Sequence, residues 1–153
     1  MRLPRRLYHR GWGRLLGHSF LLIVHRGRTS GRRRETVVMA AIFDAVTRQV
    51  VVCSVWGETE WIRNLRANPA LEIQIGGDRF VPHQRFLSQA EAVAALGEFR
   101  ARHPWRLRLF ETVLGWGDLG TDEAVRSFVR SRPFVSFRPD HRDGGVSARA
   151  GAS

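Results

Sequence analysis

The segment 25–34, His-Arg-Gly-Arg-Thr-Ser-Gly-Arg-Arg-Arg, holds the densest set of groups in the sequence that can bind an anion. Gly27 and Gly31 bracket a turn, and glycine permits backbone conformations in which consecutive N–H groups point inward as a nest. Hydroxyl and guanidinium groups supply further donors, some of them charged: Thr29, Ser30, Arg28, Arg32 and Arg34. These donors suit a phosphate or a carboxylate. The same pattern also fits a solvated hairpin turn with a basic rim, and composition alone does not separate the two interpretations.

A second cluster, Cys53-Ser54-Val55-Trp56-Gly57, combines small and aromatic residues at the end of a predicted strand, and Trp61 follows on a predicted helix. Flat aromatic side chains and a glycine at a strand end suit a slot for a planar ring. The alternative is that Trp56 and Trp61 cover the end of the core, and the spacing alone favours this alternative.

Other motifs exclude several chemistries. Gly115–Gly120 matches G-x-G-x-x-G, but it follows a predicted helix rather than a strand, which excludes a dinucleotide fingerprint. The six histidines and the single cysteine show no metal-ligand spacing, so we expect no metal site. The sequence contains no Gly-x-Ser-x-Gly nucleophile turn. His25 ends an apolar strand, and this position is more typical of a structural histidine than of a catalytic one.

The elements that position these segments are mostly strands. Hydrophobic patterning predicts strands at Phe20–His25, Glu35–Asp44, Gln49–Val55, Leu71–Ile75, Arg79–Leu87 and Phe134–Phe137. Helices are predicted over Glu60–Ala67 with Thr59 as N-cap, after the capping box Ser88–Glu91, and over 105–114 and 122–131. In the second strand, alternation places Val38, Ala40 and Ile42 on one face. Because the strands cluster instead of alternating with helices, we expect an α+β fold, mainly β: an antiparallel barrel with helices packed outside it.

Composition and charge indicate a single globular domain. The chain has 153 residues and a net charge of +11, and residues 1–34 carry ten arginines without an acidic residue. We therefore expect a basic N-terminal helix or arm over 1–17, a barrel domain over 18–138 and a disordered tail over 139–153. No apolar run has the length of a membrane span or of a signal peptide, so the cytoplasm is the expected location. The basic arm could also meet an anionic membrane surface.

At these motifs the sequence resembles the deazaflavin (F420)-dependent nitroreductase family. The resemblance rests on His18–Arg32, an apolar strand followed by Gly-Arg-Thr-Ser-Gly, on Trp61–Pro69 and on the closing strand Phe134–Pro139. It implies a split β-barrel of the FMN-binding, flavin-reductase type that binds coenzyme F420, with FMN as the alternative cofactor. It also implies hydride transfer to a small electron-poor acceptor: a quinone, an enone or a nitroaromatic.

The resemblance also assigns roles to residues. The phosphate and oligoglutamate tail of the coenzyme would be held by Arg28, Thr29, Ser30, Gly31, Arg32 and Arg34. The ring would lie against Ser54, Val55, Trp56 and Gly57, and Trp61 and Asn64 would support that loop. Ser54 and Tyr8 are the candidates for polarising the substrate or relaying a proton. The loop after the third strand lacks the family's Gly-Gly, and Ile62 stands where the family has Tyr, which leaves the substrate open.

Three alternatives differ in what the chain binds. A carrier would bind the deazaflavin, a flavin or a lipid without turnover. A peripheral membrane protein would use its basic arm on lipid, and this is compatible with an enzyme acting on a membrane quinone. Specific nucleic-acid binding is disfavoured, because no recognition helix or base-stacking platform is visible. Barrels of this class often form homodimers, and the sequence leaves the oligomeric state open.

Overall fold

The computed structural model describes residues 20–113, 117 and 119–140. The predicted N-terminal arm, with Tyr8, and the tail beyond residue 140 lie outside the described residues. Seven strands form one antiparallel sheet in the order β5-β4-β1-β2-β3-β7-β6. Their bounds are β1 Phe20–Arg26, β2 Arg33–Phe43, β3 Val50–Cys53, β4 Glu72–Ile75, β5 Asp78–Phe80, β6 Pro82–Phe86 and β7 Phe134–Pro139. The described helices are α1 Glu60–Ala67, α2 Gln89–Arg102, α3 Pro104–Val113 and α4 Asp122–Arg130.

The sheet curls into a nearly closed barrel, which confirms the predicted antiparallel split barrel with helices outside. Its first and last strands in space, β5 and β6, are joined in sequence by Val81 alone. The prediction of one strand over Arg79–Leu87 was wrong, because β5 pairs with β4 whereas β6 pairs with β7. Pro82 begins β6, and proline has no N–H with which to continue a ladder. The chain therefore leaves one side of the barrel and joins the other at this residue.

A β-bulge in β2 changes which side chains face the barrel interior. Ala40 pairs with Val52 while Ile42 pairs with Val51, so Ala41 is the extra residue. Strict alternation predicted that Ile42 shares a face with Ala40. Instead Ile42 packs against the outer helices, and Phe43 packs against the barrel interior. Beyond the bulge, Phe43 rather than Ile42 therefore continues the side of β2 that faces the barrel interior.

Two large apolar cores and a small cluster of Leu22, Val24 and Val37 hold the fold together. The barrel interior combines side chains of β1 to β5 and β7 with Trp61, Ile62 and Leu65 of α1. The second core lies between the outer face of the β3–β7 region and helices α2, α3 and α4. The predicted capping box is confirmed: the Ser88 hydroxyl accepts from the Glu91 N–H, and the Glu91 carboxylate accepts from the Ser88 N–H. No helix among the described residues is long and apolar enough to cross a membrane.

Candidate functional site

The turn between β1 and β2, residues 27–32, has a defined backbone conformation. The Gly27 N–H donates to the Arg32 carbonyl and the Gly31 N–H donates to the Gly27 carbonyl, each at 2.9 Å. Gly31 has φ +67°, a left-handed conformation that side-chain-bearing residues rarely adopt. The Ser30 hydroxyl accepts from the Arg32 N–H at 3.2 Å, which tightens the turn further.

Arg28 ties this turn to α1. Its backbone N–H donates to Asn64 Oδ1 at 3.1 Å, and its Nη1 donates to the same oxygen at 3.0 Å and to Glu60 Oε2 at 2.7 Å. The hydrogen bond from Arg28 and the proximity of its charge lower the pKa of Glu60. Arg28 is therefore already neutralised by a protein carboxylate, and its main structural effect is to fix the turn against the helix.

A buried polar chain continues from Asn64 into the barrel. The Asn64 amide is 3% exposed, and its Nδ2 lies 3.3 Å from Nδ1 of the buried His25. Because two Arg28 donors face the amide oxygen, Nδ2 must be the group that faces His25, so Nδ1 accepts. The imidazole proton then resides on Nε2, which lies 3.0 Å from Thr36 Oγ1. This arrangement agrees with the structural role predicted for His25, and neither the His25–Thr36 pair nor Glu60 was expected from the sequence at this turn.

Several donors at this turn have no partner among the described residues. Arg32 and Arg34 are exposed, and among the described residues neither guanidinium has an acidic partner within salt-bridge distance. The N–H groups of Thr29 and Ser30 have no protein acceptor in the described part of the chain. Two unneutralised cations beside free backbone donors fit an anionic group such as a phosphate.

The second predicted cluster forms a β-turn after β3. The Gly57 N–H donates to the Ser54 carbonyl at 3.1 Å, and Gly57 itself has φ +80°. The Ser54 side chain is buried: its hydroxyl donates to the Gly57 carbonyl at 2.6 Å and lies 3.2 Å from Thr59 Oγ1. Thr59 occupies the predicted N-cap position of α1, but its hydroxyl makes no capping bond. The Ser54 hydroxyl thus shapes the turn in this structure.

This turn is docked on the junction between α4 and β7. The Ser54 N–H donates to the Pro133 carbonyl at 2.9 Å, and Arg132 Nε donates to the Val55 carbonyl at 3.0 Å. A Cβ on Gly57 would come within 3.3 Å of the Ser131 carbonyl, so glycine is also favoured here by space. The segment that follows the predicted helix over 122–131 therefore contributes to the site through Arg132 and Pro133.

The remaining predicted residues occupy different environments. Trp56 is 68% exposed at the tip of the turn, whereas Trp61 is buried in the barrel core. Val55 is partly exposed, and its N–H and that of Trp56 have no protein acceptor among the described residues. Tyr8 lies outside the described residues. In the described ranges no cluster of metal-ligating side chains occurs.

Helix α1 stands between the two turns. Glu60, its first residue, contacts Arg28 of one turn, and Thr59 immediately before it contacts Ser54 of the other. The structure thus brings two predicted binding segments to the same end of α1: residues 27–32, here called the anion loop, and residues 54–57, here called the ring turn.

A separate groove of about 540 Å³ lies between α2 and the β2–β3 turn, lined by Phe43, Gln49, Arg85, Glu98 and Arg102 among others.

Comparison with known families identifies the chain. The sequence model of the F420H2-dependent quinone reductases matches residues 2–105, which is more than half of the sequence. The chain belongs to this family. Its membership makes the protein an F420-dependent oxidoreductase whose cofactor is coenzyme F420, and it confirms the resemblance seen in the sequence.

Solved structures are similar to this quinone reductase family member at low sequence identity. One, described as a domain-swapped dimer, is 17% identical with a TM-score of 0.50, covering 86% of this chain and 91% of its own. A protein of unknown function from Agrobacterium tumefaciens is 13% identical with a TM-score of 0.52, covering 89% and 55%. An F420-H2 dependent reductase, FDR-A, is 19% identical with a TM-score of 0.48, covering 80% and 96%. No curated protein matches the chain.

Proposed function

We propose that this protein transfers a hydride from reduced F420 to a quinone-class acceptor, with enones and nitroaromatics as further substrates. The observation that carries the proposal is the docked turn 27–32 and the start of β2, where Arg32 and Arg34 are exposed and, among the described residues, have no acidic partner, and where the N–H groups of Thr29 and Ser30 have no protein acceptor. The name of the matched family supports a quinone as the acceptor.

The anion side of the coenzyme would be held by the outer face of this turn. Arg32 and Arg34 would make charge-assisted bonds to the phosphate or the tail, while the N–H groups and hydroxyls of Thr29 and Ser30 complete the cradle. Arg28 would act mainly by fixing the turn against α1, because Glu60 already neutralises its guanidinium. Gly31 would keep the backbone in the conformation that exposes these donors.

The ring would lie against Ser54, Val55, Trp56 and Gly57. Bound reduced F420 supplies the hydride from a ring carbon, and the protein has to hold that carbon about 3–3.5 Å from the acceptor atom. The exposed indole of Trp56 can meet a planar ring, and so can the N–H groups of Val55 and Trp56, which have no protein acceptor in the part of the chain that the structure describes. Trp61 and Asn64 would support the arrangement from α1.

Proton delivery is assigned to Ser54 or Tyr8. The hydroxyl of Ser54 would have to leave the Gly57 carbonyl to reach a substrate, so its turn-shaping contact competes with a catalytic role. Tyr8 is the other candidate that the sequence offers, and its phenol hydroxyl would donate the proton. Kinetic solvent isotope effects on Ser54→Ala and Tyr8→Phe separate the two: the variant lacking the proton donor has a lower kcat and an altered isotope effect.

The decisive experiment is a fluorescence titration of the protein with F420 and, separately, with FMN. We expect saturable binding of F420, and about a tenfold or larger loss of affinity for each of Arg32→Ala and Arg34→Ala. Arg79→Ala is the matched control, because Arg79 is an exposed arginine on β5 paired with Glu72. Unchanged F420 affinity in both loop variants, or preference for FMN, contradicts the assignment.

A carrier that binds the coenzyme without turnover is the second candidate. Its hallmark would be tight F420 binding without reduction of any acceptor in a panel of quinones, enones and nitroaromatics.

We further propose that the protein is cytoplasmic, forms a homodimer and contacts a membrane surface through the basic N-terminal arm. Liposome flotation of the full chain and of a variant lacking residues 1–17 tests the membrane contact, and light scattering tests the dimer.

A further inference from the structure

Arg132 is held in one position by three contacts. Its Nε donates to the Val55 carbonyl at 3.0 Å, and its Nη1 donates to the Phe128 carbonyl in the last turn of α4 at 3.2 Å. The guanidinium carbon lies 4.1 Å from the centre of the Phe128 ring, at the distance of a cation–π contact. Among the described residues no carboxylate pairs with Arg132. Its charge is therefore directed at backbone carbonyls, and one of them belongs to the ring turn.

Fixing the Val55 carbonyl also fixes the N–H group of the next residue. The peptide unit is planar and trans, so the Trp56 N–H points away from the Val55 oxygen. Val55 and Trp56 are the two central residues of the β-turn that the Gly57 N–H closes on the Ser54 carbonyl. The orientation of this central peptide is what distinguishes the common turn types. Because Arg132 holds the carbonyl toward the α4–β7 junction, the Trp56 N–H is directed away from that junction and has no protein acceptor in the described residues.

We propose that Arg132 is a positioning residue that aims the Trp56 N–H at an acceptor atom on the edge of the bound coenzyme ring. The inference rests on the proposed function. It concerns a residue outside the part of the chain that the family model matches, since that match ends at residue 105. Arg132 acts through the peptide of Val55 and Trp56 and touches no reactant itself.

This role predicts a separation of kinetic effects between the two turns. Affinity for the coenzyme depends chiefly on the charged contacts at Arg32 and Arg34, whereas the ring turn sets where the donor carbon lies. A small displacement of a reacting group lowers the rate of the chemical step steeply. Loss of Arg132 should therefore lower kcat about tenfold while KM for the coenzyme changes less than about threefold, and loss of Arg34 should do the reverse.

The test compares Arg132→Met, Arg132→Lys and Arg130→Met in the full-length protein. Methionine keeps much of the packing volume over Phe128 but removes the donors, whereas lysine keeps one charged donor that can reach the Val55 carbonyl. Arg130 is the matched control, an exposed arginine two residues away on α4. The readouts are kcat, KM for F420, the fluorescence spectrum of bound F420 and the thermal midpoint.

We expect low kcat and a shifted fluorescence spectrum for Arg132→Met, partial recovery for Arg132→Lys, and wild-type values for Arg130→Met. The inference is overturned if Arg132→Met matches Arg130→Met, if KM rises while kcat is unchanged, or if lysine restores nothing at equal thermal stability. Should Arg132→Met fail to fold, the lysine variant decides: a lowered kcat with an unchanged KM for F420 or retention of both wild-type values supports the role, and a raised KM with an unchanged kcat contradicts it. Absence of F420 binding by the wild-type protein would refute the proposed function itself, which distinguishes that failure from failure of this inference.

Discussion

Replacing Asn64 with alanine tests whether the buried polar chain sets the anion loop. The side chain accepts two hydrogen bonds from Arg28 and its amide faces His25 Nδ1, and it is almost completely buried. A neutral hydrogen bond contributes about 1 kcal/mol and one to a charged group roughly 1.5–3 kcal/mol. Because Arg28 keeps Glu60 as a partner and is partly exposed, we discount the charged bond and expect a loss of about 3 kcal/mol in the free energy of unfolding.

That loss corresponds to a fall in the thermal midpoint of about 6–12 °C for a domain of this size. Thermal and urea unfolding measure it, and an F420 titration on the folded variant measures the effect on the site. We expect the dissociation constant to rise about tenfold, since the turn loses the backbone anchor that holds the Arg28 N–H.

Asn68→Ala is the matched control. Asn68 is the C-cap of the same helix, its side chain is exposed, and the backbone N–H that bonds to the Asn64 carbonyl remains in the variant. If Asn64→Ala unfolds and binds like Asn68→Ala, the buried chain does not position the loop. A stability loss without any loss of affinity would restrict Asn64 to a role in folding.

Four further outcomes follow from contacts elsewhere in the described residues. Ser54→Ala should lower the free energy of unfolding by about 1 kcal/mol through loss of the bond to Gly57, and an unchanged urea midpoint would contradict that contact. Gly57→Ala should cost about 1–2 kcal/mol, because alanine is strained at φ +80° and its Cβ would crowd the Ser131 carbonyl; equal thermal midpoints would refute this. Hydrogen bonds from Arg85 and the Ser88 N–H lower the pKa of Glu91 to about 2 from 4.5, so its stabilisation is present above pH 4.5 and is lost as the pH falls towards 2. The free energy of unfolding of Glu91→Gln, measured with urea, should therefore be lower than that of the wild type at pH 6 and nearly equal to it near pH 2. Although Cys53 is partly exposed as a residue, burial around the thiol raises its pKa to about 12, so a thiol reagent at pH 8 should label it slowly until the protein is unfolded.

Local sequence patterns predicted most of the fold. The helix over Glu60–Ala67 has the predicted bounds, and the capping box at Ser88 has both expected hydrogen bonds. The exceptions are places where pairing with distant strands decides the local structure. The bulge at Ala41 depends on how β2 meets β3, and the division at Pro82 depends on which side of the barrel each half can join. Hydrophobic alternation contains no information about such partners.

The site was predictable in its residue types but not in its contacts. The glycine-bracketed turn 27–32 and the strand-end cluster 54–57 could be recognised from the sequence, because the residues of each are contiguous. The contacts that orient them join residues far apart: Arg28 to Glu60 across 32 positions, and Val55 to Arg132 across 77. An arginine-rich sequence offers many candidates for such contacts, and spacing alone cannot select Arg132 among them.

Under the proposed function, helix α1 would link coenzyme affinity and reaction geometry as one rigid element. Trp61, Ile62 and Leu65 bury one side of α1 in the barrel core, so the start of this helix cannot move without disturbing that packing. Glu60 at that start contacts the anion loop, and Thr59 contacts the ring turn. Each turn nevertheless has a second anchor of its own, the Asn64 side chain on α1 for the anion loop and Arg132 after α4 for the ring turn. Substitutions at these second anchors should therefore separate binding from turnover, whereas a substitution that loosens α1 in the core should impair both together.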